Sequence, residues 1–257
     1  MWKAVRITVL LVALVVVAGM TWIDRAQTTS WKAPLWVGIF PINGDGSEAS
    51  ERYVRSLTPQ DFLAIETFFM NEAHRYGVVV DRPVRIELYP SPAERPPMLK
   101  QGSGALGAML WSLKMRWYAR RAANVPGRAP SHIRVFVLFH DPATTTRVPH
   151  SLGLQKGLVG VVYAFADREM RGQNNIVIAH ETMHTVGATD KYDAATGEPV
   201  YPDGYADPNR EPRFPQPKAE IMAGERAVSA TEQEMPEDLR EEAVGHKTAV
   251  EIGWIKS

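Results

Sequence analysis

The hydrophobic positions along this chain alternate between short continuous runs and runs spaced three and four apart. Residues 35–40, LWVGIF, are continuous and apolar, the pattern of a strand buried on both faces. NGDGSEAS, residues 43–50, follows as loop. The period then changes. Thr58 stands as an N-cap, Pro59 at the first helical position and Asp61 in the first turn. Phe62, Ile65, Phe69 and Ala73 recur at helical spacing until Gly77 can close the helix. Residues 82–90 alternate Val84, Ile86 and Leu88 with Arg85 and Glu87, which predicts a strand with one polar face. A second helix over 104–123 sets Leu106, Leu110, Leu113 and Trp117 on one side and Arg116, Arg120 and Arg121 elsewhere. Residues 132–141 predict a third, more buried strand, and a loop runs to Lys156. Residues 158–167 predict a fourth strand, and 172–187 a helix with Ile176, Ala179, Met183 and Val186 as its apolar stripe. Residues 194–218 are rich in Pro, Gly and Asp and longer than an ordinary connection, as functional or ligand-held loops are. A last helix is expected over 236–252.

Strands and helices interleaved in this way predict an α+β (mixed α/β) domain, a twisted mixed sheet backed by helices. The expected organisation is a catalytic domain over 34–257, a polar linker over 27–33 and a membrane segment over 1–26. The last rests on Lys3 and Arg6, followed by an uncharged apolar run over 7–23 that ends at Asp24 and Arg25. That run is near the short limit for crossing a bilayer, about 17–25 residues. It is longer than the apolar region of a cleaved signal, about 7–15 residues. Positive charge ahead of the run places the bulk of the chain outside. The segment therefore reads as the signal anchor of a single-pass membrane protein with an extracytoplasmic domain. Cleavage after Ala18 would make the protein secreted instead.

Composition narrows the chemistry. Of 257 residues, 45% are hydrophobic and 23% charged, which excludes global disorder. The formal net charge is +0, so there is no overall basic footprint for nucleic acid. With Cys 0, no disulfide, thiolate metal site or cysteine nucleophile is available, and any metal must be held by His, Asp or Glu.

Those residue types concentrate in HETMHTVGATDKYD, residues 180–193. On a helix, His180 and His184 lie one turn apart on the same face and can reach one ion. Glu181 is offset from that line, placed to act on a water rather than to bind the ion. This is the physical content of the HExxH pattern: two ligands for a zinc that acidifies water, and a general base that takes the proton. Gly187 can take positive φ and end the helix, so that the chain doubles back and Asp190 faces the same ion as third ligand. Asp193, or a glutamate of the last helix, Glu241 or Glu242, are the alternatives for that position.

HETMHTVGATD resembles the extended zinc signature of the metzincin metallopeptidases, in the variant with aspartate as third ligand that snapalysin-like and immune-inhibitor-A-like peptidases use. The resemblance implies one catalytic zinc, a peptide or protein substrate and a tight methionine turn beneath the metal, for which AEIMAGE offers Met222. It also implies that the strand over 158–167 is the edge strand along which an extended peptide pairs. The family usually has histidine where Asp190 stands. Many members carry a tyrosine just after the methionine turn to stabilise the oxyanion; here Ala223 and Gly224 follow, which leaves Tyr192, Tyr205 and His150 as candidates. A non-catalytic metal-stapled binding domain and a zinc hydrolase of a non-peptide amide are the alternative functions.

Elsewhere, Asp203, Asp207 and Asn209 form an oxygen-rich loop compatible with Ca2+, although Asp, Gly and Pro turn chemistry is the simpler account. The arginines near Trp117 read as a solvated helix face, with contact to anionic lipid as the alternative.

Overall fold

A computed structural model describes residues 28–99, 102, 104–155 and 157–256; the expected signal anchor lies outside the described residues. Among the described residues, no helix is long and apolar enough to cross a membrane.

A five-stranded sheet organises the domain. Strands β1 (Leu35–Asn43), β2 (Val84–Leu88), β3 (Ile133–His140), β4 (Leu152–Leu154) and β5 (Val159–Phe165) lie in the order β2-β1-β3-β5-β4. The first four neighbours run parallel, with Val37 opposite Ile133 and Phe136 opposite Val161, and β4 runs antiparallel to β5. The runs in β1 and β3 are apolar without alternation because both faces of the sheet are covered. Val37, Ile39, Val135, Val137 and Phe139 face one core, and Phe40, Ile42, Phe136 and Leu138 face the other.

Helices α1 (Glu48–Ser56) and α2 (Leu63–Arg75) cover the first face together with the later helix α4 (Arg171–Val186), and α3 (Gly104–Ala122) covers the second. Residues 48–56 are helix rather than loop: the Ser47 hydroxyl caps the Ser50 N–H, with Glu48 and Glu51 in the first turn. The expected capping at Thr58 is present, its N–H donating to the Asp61 carboxylate at 2.8 Å. That carboxylate also meets Arg168 at 2.6 Å, and the Asp61 carbonyl accepts from Asn175, so the start of α2 is tied to the start of α4.

Two further expectations are corrected. The strand over 158–167 is not the edge of the sheet: it lies inside, and three-residue β4 is the edge. Its unbroken apolar run is itself the signature of an interior strand, whereas LGL is too short to show a period. The helix expected over 236–252 is instead a 3-10 turn (Leu239–Glu241), a short strand and helix α5 (His246–Glu251). The middle of that segment pairs as β7 (Glu242–Ala243) with β6 (Ala219–Glu220), and Gly245 packs so close to Glu220 that a Cβ there would lie 2.8 Å from its Cγ. On α3, whose buried side the sequence left open, the side bearing Leu106, Leu110, Leu113 and Trp117 faces outward, and Trp111, Met115, Tyr118 and Ala119 fill the core. Trp31, within the expected linker, is buried and donates its Nε1–H to the Ile252 carbonyl at 2.7 Å.

Glu242 is fully buried and neither of its carboxylate oxygens has a hydrogen-bond partner among the described residues. Burial, reinforced by neighbouring Glu220, pushes this carboxyl up to about 8 from 4.5. The folded state therefore keeps a proton that the unfolded chain releases, and the stabilisation present below the unfolded value fades as pH rises toward the folded one. Unfolding free energy should fall by up to about 1.4 kcal/mol per pH unit between these limits. In Glu242→Gln the slope should be shallower. Urea titrations across this window measure it, and identical slopes in the two proteins would refute the assignment.

Candidate metal centre

Helix α4 buries Ile176, Ile178, Ala179, Met183 and Val186 against the sheet, which turns His180 and His184 toward the opening beside β4. The two imidazoles meet edge to face, with centroids 4.7 Å apart. The helix ends at Gly187, whose φ of 114° is costly for any residue with a Cβ. Its N–H closes on the Met183 and His184 carbonyls at 3.1 and 3.2 Å. The reversed chain then brings Asp190 Oδ1 to 3.2 Å from His180 Nε2 and 3.0 Å from His184 Nε2.

Both imidazoles are held from behind. His180 Nδ1 lies 2.9 Å from the Ile221 carbonyl and His184 Nδ1 lies 2.9 Å from the Ala188 carbonyl. A carbonyl only accepts, so each Nδ1 carries a proton and the Nε2 atoms of the neutral rings present lone pairs toward Asp190. Two lone pairs and a carboxylate oxygen thus converge on one volume, and such a set requires a cation, either a proton or a metal ion, among its members. Burial pulls the His184 imidazole down, but its bonds to Asp190 and the Ala188 carbonyl outweigh this and hold it above its usual value. Burial pushes Asp190 up, but the two histidine bonds hold it well below the usual carboxylate range.

The spacing suits a metal. Donors about 2.0–2.1 Å from a tetrahedral zinc lie about 3.3 Å from one another, close to the two contacts of Asp190. Glu181 is 5% exposed, and its Oε2 has no hydrogen-bond partner among the described residues. Burial pushes its carboxyl up; the two histidines oppose this and Asp190 reinforces it. One nitrogen of each imidazole and a Glu181 oxygen lie within 4.8 Å of one another. Asp190, in direct contact with both Nε2 atoms, and Glu181, whose Oε2 has no partner among the described residues, are thus both within reach of the imidazoles.

None of the alternatives joins the two histidines in a cluster among the described residues. Asp193 is exposed and its Oδ1 accepts from the Ala195 and Thr196 N–H groups in a turn. Glu241 accepts from the Glu237 N–H. The charged neighbours of Glu242 are Glu220, Lys218 and Glu241. Asp203 and Asp207 join no cluster of three His, Asp or Glu ligands among the described residues. Of the tyrosine candidates, burial, then the charges of Asp190 and Glu181, push the Tyr192 phenol up, which places it near both carboxylates. Tyr205 packs instead between Tyr201 and Phe214.

Apart from Met222, which the resemblance pointed to, the supporting groups had no signature in the sequence. Met222, fully buried, sits in a tight turn whose Ala223 and Gly224 N–H groups close on the Glu220 carbonyl. The buried Glu220 carboxylate accepts from the Met222 and Gly245 N–H groups and the Thr248 hydroxyl. Lys191 N–H donates to the Met222 carbonyl at 2.8 Å, so the turn is bonded to the residue after Asp190. Glu251 clamps the same segment, accepting from Thr189 N–H at 2.9 Å and from buried Lys191 Nζ at 2.8 Å. Gly153 of β4 lies over the site: a Cβ there would stand 2.4 Å from His184 Cβ and 3.0 Å from Glu181 Oε2.

No protein-family model matches the chain, and no curated protein matches it.

Removing a ligand and loosening its support should differ in size. Asp190→Ala should abolish tight zinc binding. Glu251→Ala keeps all three ligands and should weaken it roughly tenfold to a hundredfold, as loss of outer support does. Competition against a chromophoric chelator measures both, and wild-type affinity in Asp190→Ala would exclude Asp190 as a ligand.

Proposed function

We propose that the protein is a zinc metallopeptidase, anchored to a membrane by its N-terminal apolar run with the catalytic domain outside, of a metzincin-like kind. The observation that carries this reading is the contact of one Asp190 oxygen with the Nε2 atoms of His180 and His184, beside a buried glutamate that has a free oxygen. His180, His184 and Asp190 would hold zinc, which when bound supplies a Lewis acid and lowers the pKa of water toward 7.

The remaining steps belong to the chain's own residues. Glu181 takes the proton of the attacking water and passes it to the leaving amine. Its burial favours this, because a carboxyl whose affinity for protons is raised holds the proton better between the two transfers. Tyr192, whose phenol feels the charges of Asp190 and Glu181, is proposed to donate to the developing oxyanion, the role left open after the Met222 turn. The substrate would lie extended along β4, the edge strand, pairing by main-chain hydrogen bonds. Gly153 supports this placement, since a side chain there would strike His184 and Glu181.

Glu181→Gln should lower turnover of a mixed peptide library by about 10²–10⁴-fold while zinc stays bound. Wild-type turnover should stop with a chelator and return with zinc. Absence of any chelator-sensitive cleavage in zinc-loaded wild type would favour a non-catalytic metal site. Loss of zinc in Glu181→Gln would make that residue structural.

A further inference from the structure

Helix α3 is apolar on two opposite sides. One side packs on the sheet through Trp111, Met115, Tyr118 and Ala119. The other carries Leu106, Met109, Leu110, Leu113 and Trp117, between 49% and 66% exposed. Their spacing of three and four makes one continuous stripe along the helix. A monomeric domain rarely leaves such a stripe in water without a use for it.

The charge around the stripe is mainly positive, with Glu94 paired to Arg121 at 3.7 Å. From Arg95 to His140 the sequence holds eight lysines and arginines and no aspartate or glutamate, in a chain whose formal net charge is +0. Lys114, Arg120 and Arg121 are exposed along the stripe and at its C-terminal end, and the Arg121 guanidinium lies 5.5 Å from the Trp117 ring centre. Leucines and methionines on one face, flanking cations and a tryptophan at the boundary are the composition of a helix lying in a membrane interface. An isologous pairing of two copies through this stripe would bring Lys114 and Arg120 of each copy together, with Glu94 at Arg121 as the one acidic side chain paired to the stripe's cations among the described residues.

The position agrees. α3 crosses between parallel β2 and β3, so its basic end lies at the edge of the sheet where those strands begin. The described chain enters β1 at that same edge, with the apolar run over 7–23 not far before Thr28.

We infer that the outer face of α3 docks on a bilayer containing anionic phospholipid, with the apolar stripe in the interface and Lys114, Arg120 and Arg121 on the headgroups. This is independent of the peptidase reading. Each such cation strengthens binding to an anionic surface about fivefold, so Lys114, Arg120 and Arg121 together contribute roughly a hundredfold.

The absence of cysteine allows a single reporter. The full-length chain as Leu113→Cys, carrying an environment-sensitive fluorophore, is added to vesicles of phosphatidylcholine alone or mixed with phosphatidylglycerol. Emission should shift to the blue and rise severalfold on the mixed vesicles, and much less on phosphatidylcholine. A label at Val79→Cys, a 95% exposed position on the loop after α2, should stay aqueous. Changing Lys114, Arg120 and Arg121 to Gln should restore aqueous emission at position 113 under the same conditions. Aqueous emission there on anionic vesicles would overturn the proposal. So would an equal shift on both vesicle types. A shift without vesicles that grows with protein concentration would assign the stripe to a second copy of the chain.

Discussion

The hydrogen bond from His180 Nδ1 to the Ile221 carbonyl joins the one long helix of the site to the turn that follows the irregular segment, and the site's order depends on it. Together with its counterpart from His184 to Ala188, it fixes which ring nitrogen carries the proton. Both Nε2 lone pairs are thereby aimed at the Asp190 carboxylate. Without those two carbonyls the rings could turn and pair with Asp190 as ordinary donors, and nothing would then call for a metal. With them, three electron-rich atoms are held together, and the cost of that convergence is borne by the fold.

The fold bears it through a second layer of buried polar contacts. Glu220 holds the turn containing Ile221 and Met222, and the same turn accepts the backbone of Lys191, one residue beyond Asp190. Glu251 reaches from the C-terminal helix to grip Thr189 and Lys191. The candidate ligands therefore lie close together in sequence, while apart from the Ala188 carbonyl their support comes from residues roughly 30 to 70 positions later. Buried polar networks of this kind are stiff when fully bonded.

This division explains what could be read from the chain. His180, Glu181, His184, Gly187 and Asp190 sit on one helix and its left-handed stop, and local geometry alone brings them together. β1, β3 and α2 were legible for the same reason, through unbroken apolar runs and the Thr58–Asp61 cap. The segment over 236–252 was not, because its pairing partner β6 lies some twenty residues upstream and strand pairing at two residues leaves no period. β4 was hidden because three residues around a glycine show no alternation, yet Gly153 is where the sheet edge meets the site. Which side of α3 is buried was not legible, because both sides of that helix are apolar and only the sheet decides between them.

The central claim is that His180, His184 and Asp190 close around one divalent metal ion, and its most direct test is zinc-edge X-ray absorption of the full-length protein loaded with one equivalent of zinc. The account predicts a low-coordinate zinc with the paired scattering of two imidazole rings and the rest of its shell oxygen. A six-coordinate shell of oxygen alone, or a spectrum with fewer than two imidazoles, would contradict it.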